Sequence, residues 1–390
     1  MATKPTEWRE ARFGDATVLV RDTWRPGQEE EAYIGLEHIN EGDLTLKGIG
    51  RSTLLESNKT RFQSGDILFG KLRPYFRKVV VPDFAGVCST DIWVIRAKEG
   101  YDQRYLFYFV ANPVFVAQSS GASKGTKMPR ADWDYLSNKE YNFPDLPEQR
   151  EIASVLSSLD DKIKLLRKQN KTLEEMARAI FDEWFVKKTA DGVLPEGWRS
   201  GKIMNLCSKI ASGGTPNTRN SDYYGGTIWW FSTKELNDNF LFASEKKITK
   251  EGLENSSAKL FPAGSVVMAI YAAPTVGRLG ILTKESSFNQ AAVGFIADER
   301  VSSSEFIYLY LLSERDTLNN LANGAAQQNI SVGLVREHPV VIPGRSAMTR
   351  INGTIRPLFR KILNNSTQMQ TLSSTRDLLL PKLMSGKVRV

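Results

Sequence analysis

An α+β fold in two repeated lobes, joined by two long helices packed as an antiparallel coiled coil about a pseudo-twofold axis, follows from three observations. First, Ile152, Leu156, Leu159, Ile163, Leu166, Asn170, Leu173, Ala177, Ile180 and Trp184 recur at alternating steps of four and three, the 3.5-residue rhythm of a helix with a partner. Second, the same rhythm returns 199 residues on, at Ile351, Ile355, Leu358, Ile362, Asn365, Met369, Leu372, Arg376, Leu379 and Leu383. Third, the segments between the helices also repeat, and their short apolar strands cluster instead of alternating with long helices, which excludes a doubly wound sheet.

Glu7-Trp8-Arg9 is matched by Gly197-Trp198-Arg199, at an offset of 190. Phe62-Gln63-Ser64-Gly65-Asp66-Ile67-Leu68-Phe69 is matched by Phe261-Pro262-Ala263-Gly264-Ser265-Val266-Val267-Met268, at an offset of 199. Each reads as a glycine turn followed by a short buried strand. Further strands are expected at 78–81, 91–96, 228–232, 265–271 and 294–296, and short amphipathic helices at 103–111 and 304–312. Small-residue loops, Gly121-Ala122-Ser123 and Gly324-Ala325-Ala326, also correspond. Asn142-Phe143-Pro144 and Val341-Ile342-Pro343 end a strand just before each long helix.

The first long helix should begin at Leu146-Pro147-Glu148-Gln149, where proline suits the first turn and Glu148 the positive helix end. It meets no glycine or proline until Gly192, so it should reach about residue 188. The second should run from about 346 to Gly386. Pro357 is a candidate for a kink, and Pro381 counts against its last turn. If the rods pair antiparallel, the first seam's midpoint at 168 puts Ile152 opposite Leu383, Leu156 opposite Leu379, Ile163 opposite Leu372 and Asn170 opposite Asn365. Asn facing Asn recovers amide hydrogen bonds that leucine would forfeit, so Asn170 and Asn365 are expected to set the helix register.

Composition limits the function classes. The 390 residues suffice for two or three cored domains, and the net charge of +8 permits a polyanionic partner. Cys88 and Cys207 lack metal-ligand spacing and are expected to be reduced, as in an intracellular protein. No apolar run reaches the roughly 18 residues a membrane helix needs, and the N-terminus has no apolar signal core. A soluble, cytoplasmic chain with no membrane association is expected.

A search for catalysis finds none. Gly65 to Leu72 resembles a phosphate-binding loop, yet Leu72 stands where Ser or Thr would hold magnesium, and its interior is an apolar strand. Asp145 with Asp160-Asp161-Lys162 has a nuclease-like order, but the acidic pair and Lys162 lie along a helix and cannot converge with Asp145. His38 and His338 have no partners spaced for zinc, so no metal site is expected. Asn112-Pro113-Val114-Phe115 departs from the Asn-Pro-Pro-Phe/Tyr signature of amino-methyltransferases by Val114.

Groups suited to nucleic acid are easier to find. Lys71, Arg73, Arg77 and Lys78 surround Tyr75 and Phe76; Lys124, Lys127 and Arg130 follow in a polar, glycine-bearing loop. Cations neutralise phosphates, and arginine can take guanine bidentately. In the second copy the matching loop carries the amides Gln327, Gln328 and Asn329, which suit adenine edges. Thr215, Asn217 and Arg219 form another polar candidate, with Tyr223 and Tyr224 close behind.

At this point the chain resembles the DNA-specificity (S) subunit of type I restriction–modification enzymes over nearly its whole length. The resemblance rests on Gly65 to Tyr75, Leu146 to Ile152, Leu194-Pro195-Glu196-Gly197-Trp198, and Leu378 to Gly386, in this order and in duplicate. It implies target-recognition domains at 1–145 and 190–344, and spacer helices at 146–189 and 345–390. Each domain would read one half of a bipartite site in double-stranded DNA, in a bacterial or archaeal cytoplasm. Two modification (methyltransferase) subunits and a restriction/translocase subunit are implied partners. S-adenosylmethionine, ATP and magnesium would serve those partners, with no cofactor in this non-catalytic chain. In the second copy Leu146-Pro147-Glu148-Gln149 gives way to Gly344-Arg345-Ser346-Ala347, which makes that helix start harder to place. The residues also allow another reading, a coiled-coil assembly scaffold whose lobes bind proteins; steep salt dependence of duplex binding would separate the two.

Overall fold

Strand Ile92–Ala97 is the centre of the first lobe. It pairs antiparallel with Thr17–Val20 on one side and Ile67–Gly70 on the other, and Val79–Val80 completes this four-stranded sheet. The computed structural model describes residues 8–121, 128–190, 192–271, 274–323 and 330–390, without the side chains of 322 and 323. The chain divides into two compact units, residues 1–165 with 368–390, and residues 166–367, so each unit holds part of both long helices.

In the first unit, all four residues of Ile67–Gly70 are buried, as an apolar run bounded by a glycine turn requires. Gly65 makes that turn at φ +89, a left-handed conformation that costs a side chain dearly. A second, five-stranded sheet orders Thr23–Trp24, Lys59–Phe62, Gly86–Cys88, Ala32–Ile34 and Gly50–Arg51. Helix Gln103–Ala111 is capped by the Asp102 carboxylate, which accepts the Tyr105 N–H. It packs into one core with Phe13, Phe69, Phe115 and Phe143. Strand Arg9–Arg12 pairs with Glu140–Phe143, which leads into the long helix.

The second unit repeats this frame. Ala292–Ala297 lies between Cys207–Ser212 and Val266–Ala269, followed by Leu279–Leu282 and a parallel edge strand, Asn239–Leu241. Gly264 makes the turn at φ +84. Lys246–Ile248, Tyr224–Phe231 and Ser287–Phe288 form a separate three-stranded sheet. Backbone hydrogen bonds show the equivalence directly. Phe13 N–H donates to Lys139 O and Ile203 N–H to His338 O; Lys98 N–H donates to Ala16 O and Asp298 N–H to Leu206 O. The first lobe's opening segment therefore aligns at 190 and the later ones at 199 to 200.

The first long helix covers Leu146–Phe181, widens into a π turn over Asp182–Val186, and continues through Lys187–Thr189. The second covers Arg345–Leu383. At 1.5 Å per residue the rods are about 55–60 Å long. In the first unit Ile152 and Leu156 share a core with Leu380 and Leu383. In the second, Ala177, Phe181 and Phe185 share one with Ile351, Ile355 and Phe359. The start of each helix thus meets the end of the other, and the pair is antiparallel.

Neither proline ends the second helix. Pro357 and Gly353, the residue whose carbonyl loses its donor, are both exposed, so the freed carbonyl lies on the outer face, open to solvent. Pro381 likewise stands four residues beyond the exposed Asp377. The start of this helix is also defined: Met348 N–H donates to Gly344 O as Gln149 N–H does to Asp145 O. Gln149, fully buried, donates to Pro144 O and accepts the Asp102 N–H, which ties lobe to helix. Met348 occupies the same place as a buried apolar residue.

Candidate nucleic-acid interface

The first lobe's basic hairpin leaves strand Ile67–Gly70 and returns at Val79–Val80, closed by Gly70 N–H on Lys78 O at 2.8 Å. Its tip is a single 3-10 turn, Pro74–Phe76, flanked by Arg73 and Arg77, both at φ 50. Along its rising side run residues 129–131: Arg73 N–H donates to Pro129 O at 2.7 Å and Ala131 N–H to Lys71 O at 2.8 Å. Two basic stretches that are far apart in sequence are therefore side by side.

Lys71 and Arg130 line one open cleft with Arg21, Trp93 and Trp133. Arg130 Nε also donates to Asp91 at 3.1 Å. Arg21 was not foreseen; it lies just past a strand, and only the sheet order brings it to Lys71. Tyr75 is 52% exposed at the tip, its ring stacked obliquely on Phe76 at 4.7 Å. Arg73 is half-buried.

Arg77 and Lys78 do not belong with this set. The left-handed residue at 77 turns the chain back toward the body of the lobe, and both side chains are only 14% exposed. Arg77 holds Asp377 at 3.0 Å, while Lys78 donates to Leu36 O at 2.9 Å and faces Glu41 at 3.6 Å. Each cation thus has an acceptor within the chain. Lys124 and Lys127, with Gln327, Gln328 and Asn329, lie outside the described residues.

In the second lobe the loop after Cys207–Ser212 is pinned down before it opens. A Cβ on Gly213 would come 2.1 Å from Phe288 O, and one on Gly214 2.2 Å from the Ser257 carbonyl carbon, so only glycine permits this approach. Trp230 Nε1 donates to Gly214 O at 2.9 Å. Beyond the anchor, Asn217 and Arg219 are exposed; the Asn217 side chain accepts the Arg219 N–H at 3.1 Å and shapes the turn. Thr215 is hydrogen-bonded to the exposed Gln290, 75 residues away, a polar neighbour that local sequence does not reveal. Lys284 lies 3.6 Å over the Trp229 ring, another cation–aromatic pair found only by folding.

The helix seam carries two polar clusters. In the second unit Asn365 Nδ2 donates to Asn170 Oδ1 at 2.9 Å, and Asn170 Nδ2 to Ser366 Oγ at 3.0 Å. Both amides are buried, at 4% and 1% exposure. In the first unit Arg376, 1% exposed, pairs with Asp160 at 2.6 Å. Tyr108 Oη donates to the other oxygen of Asp160 at 2.7 Å, and Asp377 sits 3.2 Å from Arg376. Burial opposes the charge on Arg376, but Asp160 and then Asp377 outweigh it and hold its pKa above the ordinary value. Burial first, then Asp160, pushes the Tyr108 phenol up.

Among the described residues no group of three or more His, Cys, Asp or Glu side chains converges as a metal site, and no helix is long and apolar enough to cross a membrane.

Comparison with known proteins adds an independent line. A family profile described as the type I restriction modification DNA specificity domain matches residues 5–175 and again 195–372. The chain is 24% identical to the type I restriction enzyme HindI specificity subunit of Haemophilus influenzae, with 98% of this chain and 100% of the relative aligned. It is 26% identical to the MjaIX specificity subunit of Methanocaldococcus jannaschii, over 76% and 71% of the two chains. The crystal structure of an S subunit from M. genitalium shares the fold, with a TM-score of 0.59, 13% identity, and coverage of 98% and 97%.

Proposed function

The chain belongs to the type I restriction–modification DNA-specificity family, and from that premise we propose that it reads a bipartite DNA site, one half per lobe, and brings partner methyltransferase and restriction subunits to it. DNA sequence recognition within a restriction–modification complex is the family's activity. The observation that carries the finer reading is the duplication itself: the profile matches twice, and the two lobes close their sheets with the same backbone hydrogen bonds. Their loops nevertheless differ in chemistry. Lys71 in the first hairpin is replaced by Ile270 in the second, since each donates its N–H to the same place, Asp91 O and Ala291 O. One frame with two different edges suits two different half-sites.

Lys71, Arg73, Tyr75 and Arg130 are the proposed contacts of the first lobe, and Thr215, Asn217 and Arg219, with Gln290, those of the second. Methyl transfer, ATP-driven movement and cleavage would belong to the partners, with their S-adenosylmethionine, ATP and magnesium. Mapping methylated adenines in DNA from cells carrying the complex tests the reading. One motif in two blocks with a fixed gap is expected; an uninterrupted motif would sink it. Arg73→Ala should weaken binding through the first lobe, and Lys71→Ala should lower the salt slope of binding by about one if it meets a phosphate.

A further inference from the structure

We propose that Asp377, braced by the buried Arg376, is a positioning residue that holds the first lobe's DNA-reading hairpin in its working shape. This rests on the reading of that hairpin as a DNA edge.

The hairpin has a conformational difficulty. Arg73 and Arg77 both stand at φ 50, a region that side chains other than glycine occupy only when the surroundings hold them there. On the Arg73 side the hold is backbone, through Pro129 O at 2.7 Å. On the Arg77 side the backbone closes the turn, Arg77 N–H donating to Pro74 O at 2.8 Å, and the ion pair to Asp377 at 3.0 Å adds a side-chain hold that ties the turn to the long helix.

A half-exposed carboxylate on a helix is ordinarily a loose anchor. Asp377 is stiffened from behind. Arg376 contacts it at 3.2 Å, Asp160 clamps Arg376 at 2.6 Å, and Tyr108 on helix Gln103–Ala111 clamps Asp160 at 2.7 Å. A continuous polar chain, Tyr108–Asp160–Arg376–Asp377–Arg77, therefore runs from the lobe's core to the base of its hairpin.

The second lobe is the natural control. Its hairpin is closed by Ala269 N–H on Arg278 O, which puts Gly277, at φ 80, in the place of Arg77. Glycine adopts that shape without an anchor. The helix positions matching Arg376 and Asp377 are accordingly Ala177 and Arg178. An arginine kept where glycine would fold more easily is kept for its side chain. Because that side chain faces Asp377, its use is to fix Lys71, Arg73 and Tyr75 relative to the spacer helix.

The test is selection of duplexes from a pool randomised in both half-sites, using the full-length chain. Asp377→Asn and Arg77→Gly should each blur the first lobe's half-site by about tenfold, the scale of one well-oriented base contact. The other half-site and the melting temperature should stay as in wild type, and Asp377→Glu should restore the preference. Unchanged selectivity in both variants, or equal loss at both half-sites with a lower melting temperature, would overturn the proposal. Lys71→Ala and Tyr75→Ala separate the two layers of the argument. If these tip variants also leave selection untouched, the hairpin is not a DNA edge and the underlying reading fails. If they blur one half-site while Asp377→Asn and Arg77→Gly do not, the positioning role alone fails.

Discussion

Where the first unit buries Arg376 in the helix seam, the second has Ala177 at the matching position, and where the first has Asp160 the second has Phe359. The contrast extends to the lobes. Gln149 ties the first lobe to its helix by two hydrogen bonds, whereas Met348 does so by packing. Around Ala177 the second unit gathers aromatic rings, Phe359 lying 5.6 Å from Tyr308 and 6.4 Å from Phe240. It still owns ion pairs: Arg315 and Asp238, with a contact at 3.0 Å, lie within the lobe, and Arg356 of the helix reaches the lobe's Glu305 at 3.4 Å. The same backbone frame thus supports a joint centred on a fully buried arginine in one unit, and in the other a joint centred on aromatic rings with an ion pair, Arg356 to Glu305, beside them. Connectivity is the same in both halves of the molecule while the chemistry of the joint differs.

The contrast can be broken at several places. Arg376→Leu should have the largest effect: it strands Asp160 in the seam, at about 3–5 kcal/mol for a buried pair losing one member. Urea unfolding would measure it, and a loss below about 1 kcal/mol would mean that the charged junction contributes little. Asn170→Leu should cost about 1–3 kcal/mol by leaving Asn365 without its acceptor. Adding Asn365→Leu should recover part of that, and a double-mutant cycle with no coupling would deny the pair its register role. Phe359→Leu, nearly conserving volume, should cost about 1 kcal/mol in the second unit, with no change between low and high salt.

The smallest effect, and one of opposite sign, belongs to Glu174 beside this aromatic junction. Burial raises its pKa, Arg178 opposes and Asp238 adds to the rise. A carboxyl with a raised folded pKa stabilises the fold fully below its unfolded value and loses that contribution as pH rises through the folded one. Glu174→Gln should therefore stabilise the protein at neutral pH, and the advantage should vanish on acidification below the ordinary glutamate range. A pH-independent difference would point to packing instead.

Much of this frame was legible from the residues. The opposition of Asn170 to Asn365, inferred from a midpoint, corresponds to a 2.9 Å hydrogen bond, whereas toward the ends of the seam the buried residues are Phe181, Phe185, Phe359 and Leu380, each one position past the expected Ile180, Trp184, Leu358 and Leu379. The glycine turns at 65 and 264 signalled matching strands because left-handed backbone leaves a compositional trace. What could not be read were partners distant along the chain. Arg77 sits in a basic, aromatic run, and nothing local shows that the fold brings Asp377, 300 residues on, to 3.0 Å from it. Local rules set Pro357 and Pro381 against the helix, whereas exposure of the residues four positions earlier lets the helix continue through them. Gln149 carried no visible sign of its role, because its acceptor at 144 and its donor at 102 meet only after the lobe closes.

The seam's polar residues also decide which rods are compatible. Laid on a copy of itself in the same geometry, the first rod would set Asn170 against Leu166 and Asp160 near Ala177, with Arg178 exposed on the flank. The second, doubled, would press Arg376 onto Leu358 and Asn365 onto Met369. Both homotypic unions strand an amide and a charge twice over. Peptides 146–189 and 345–386, mixed in solution, should accordingly form heterodimers in sedimentation; a statistical mixture would refute this. Two rods that share a rhythm would then each accept the other and refuse a copy of itself.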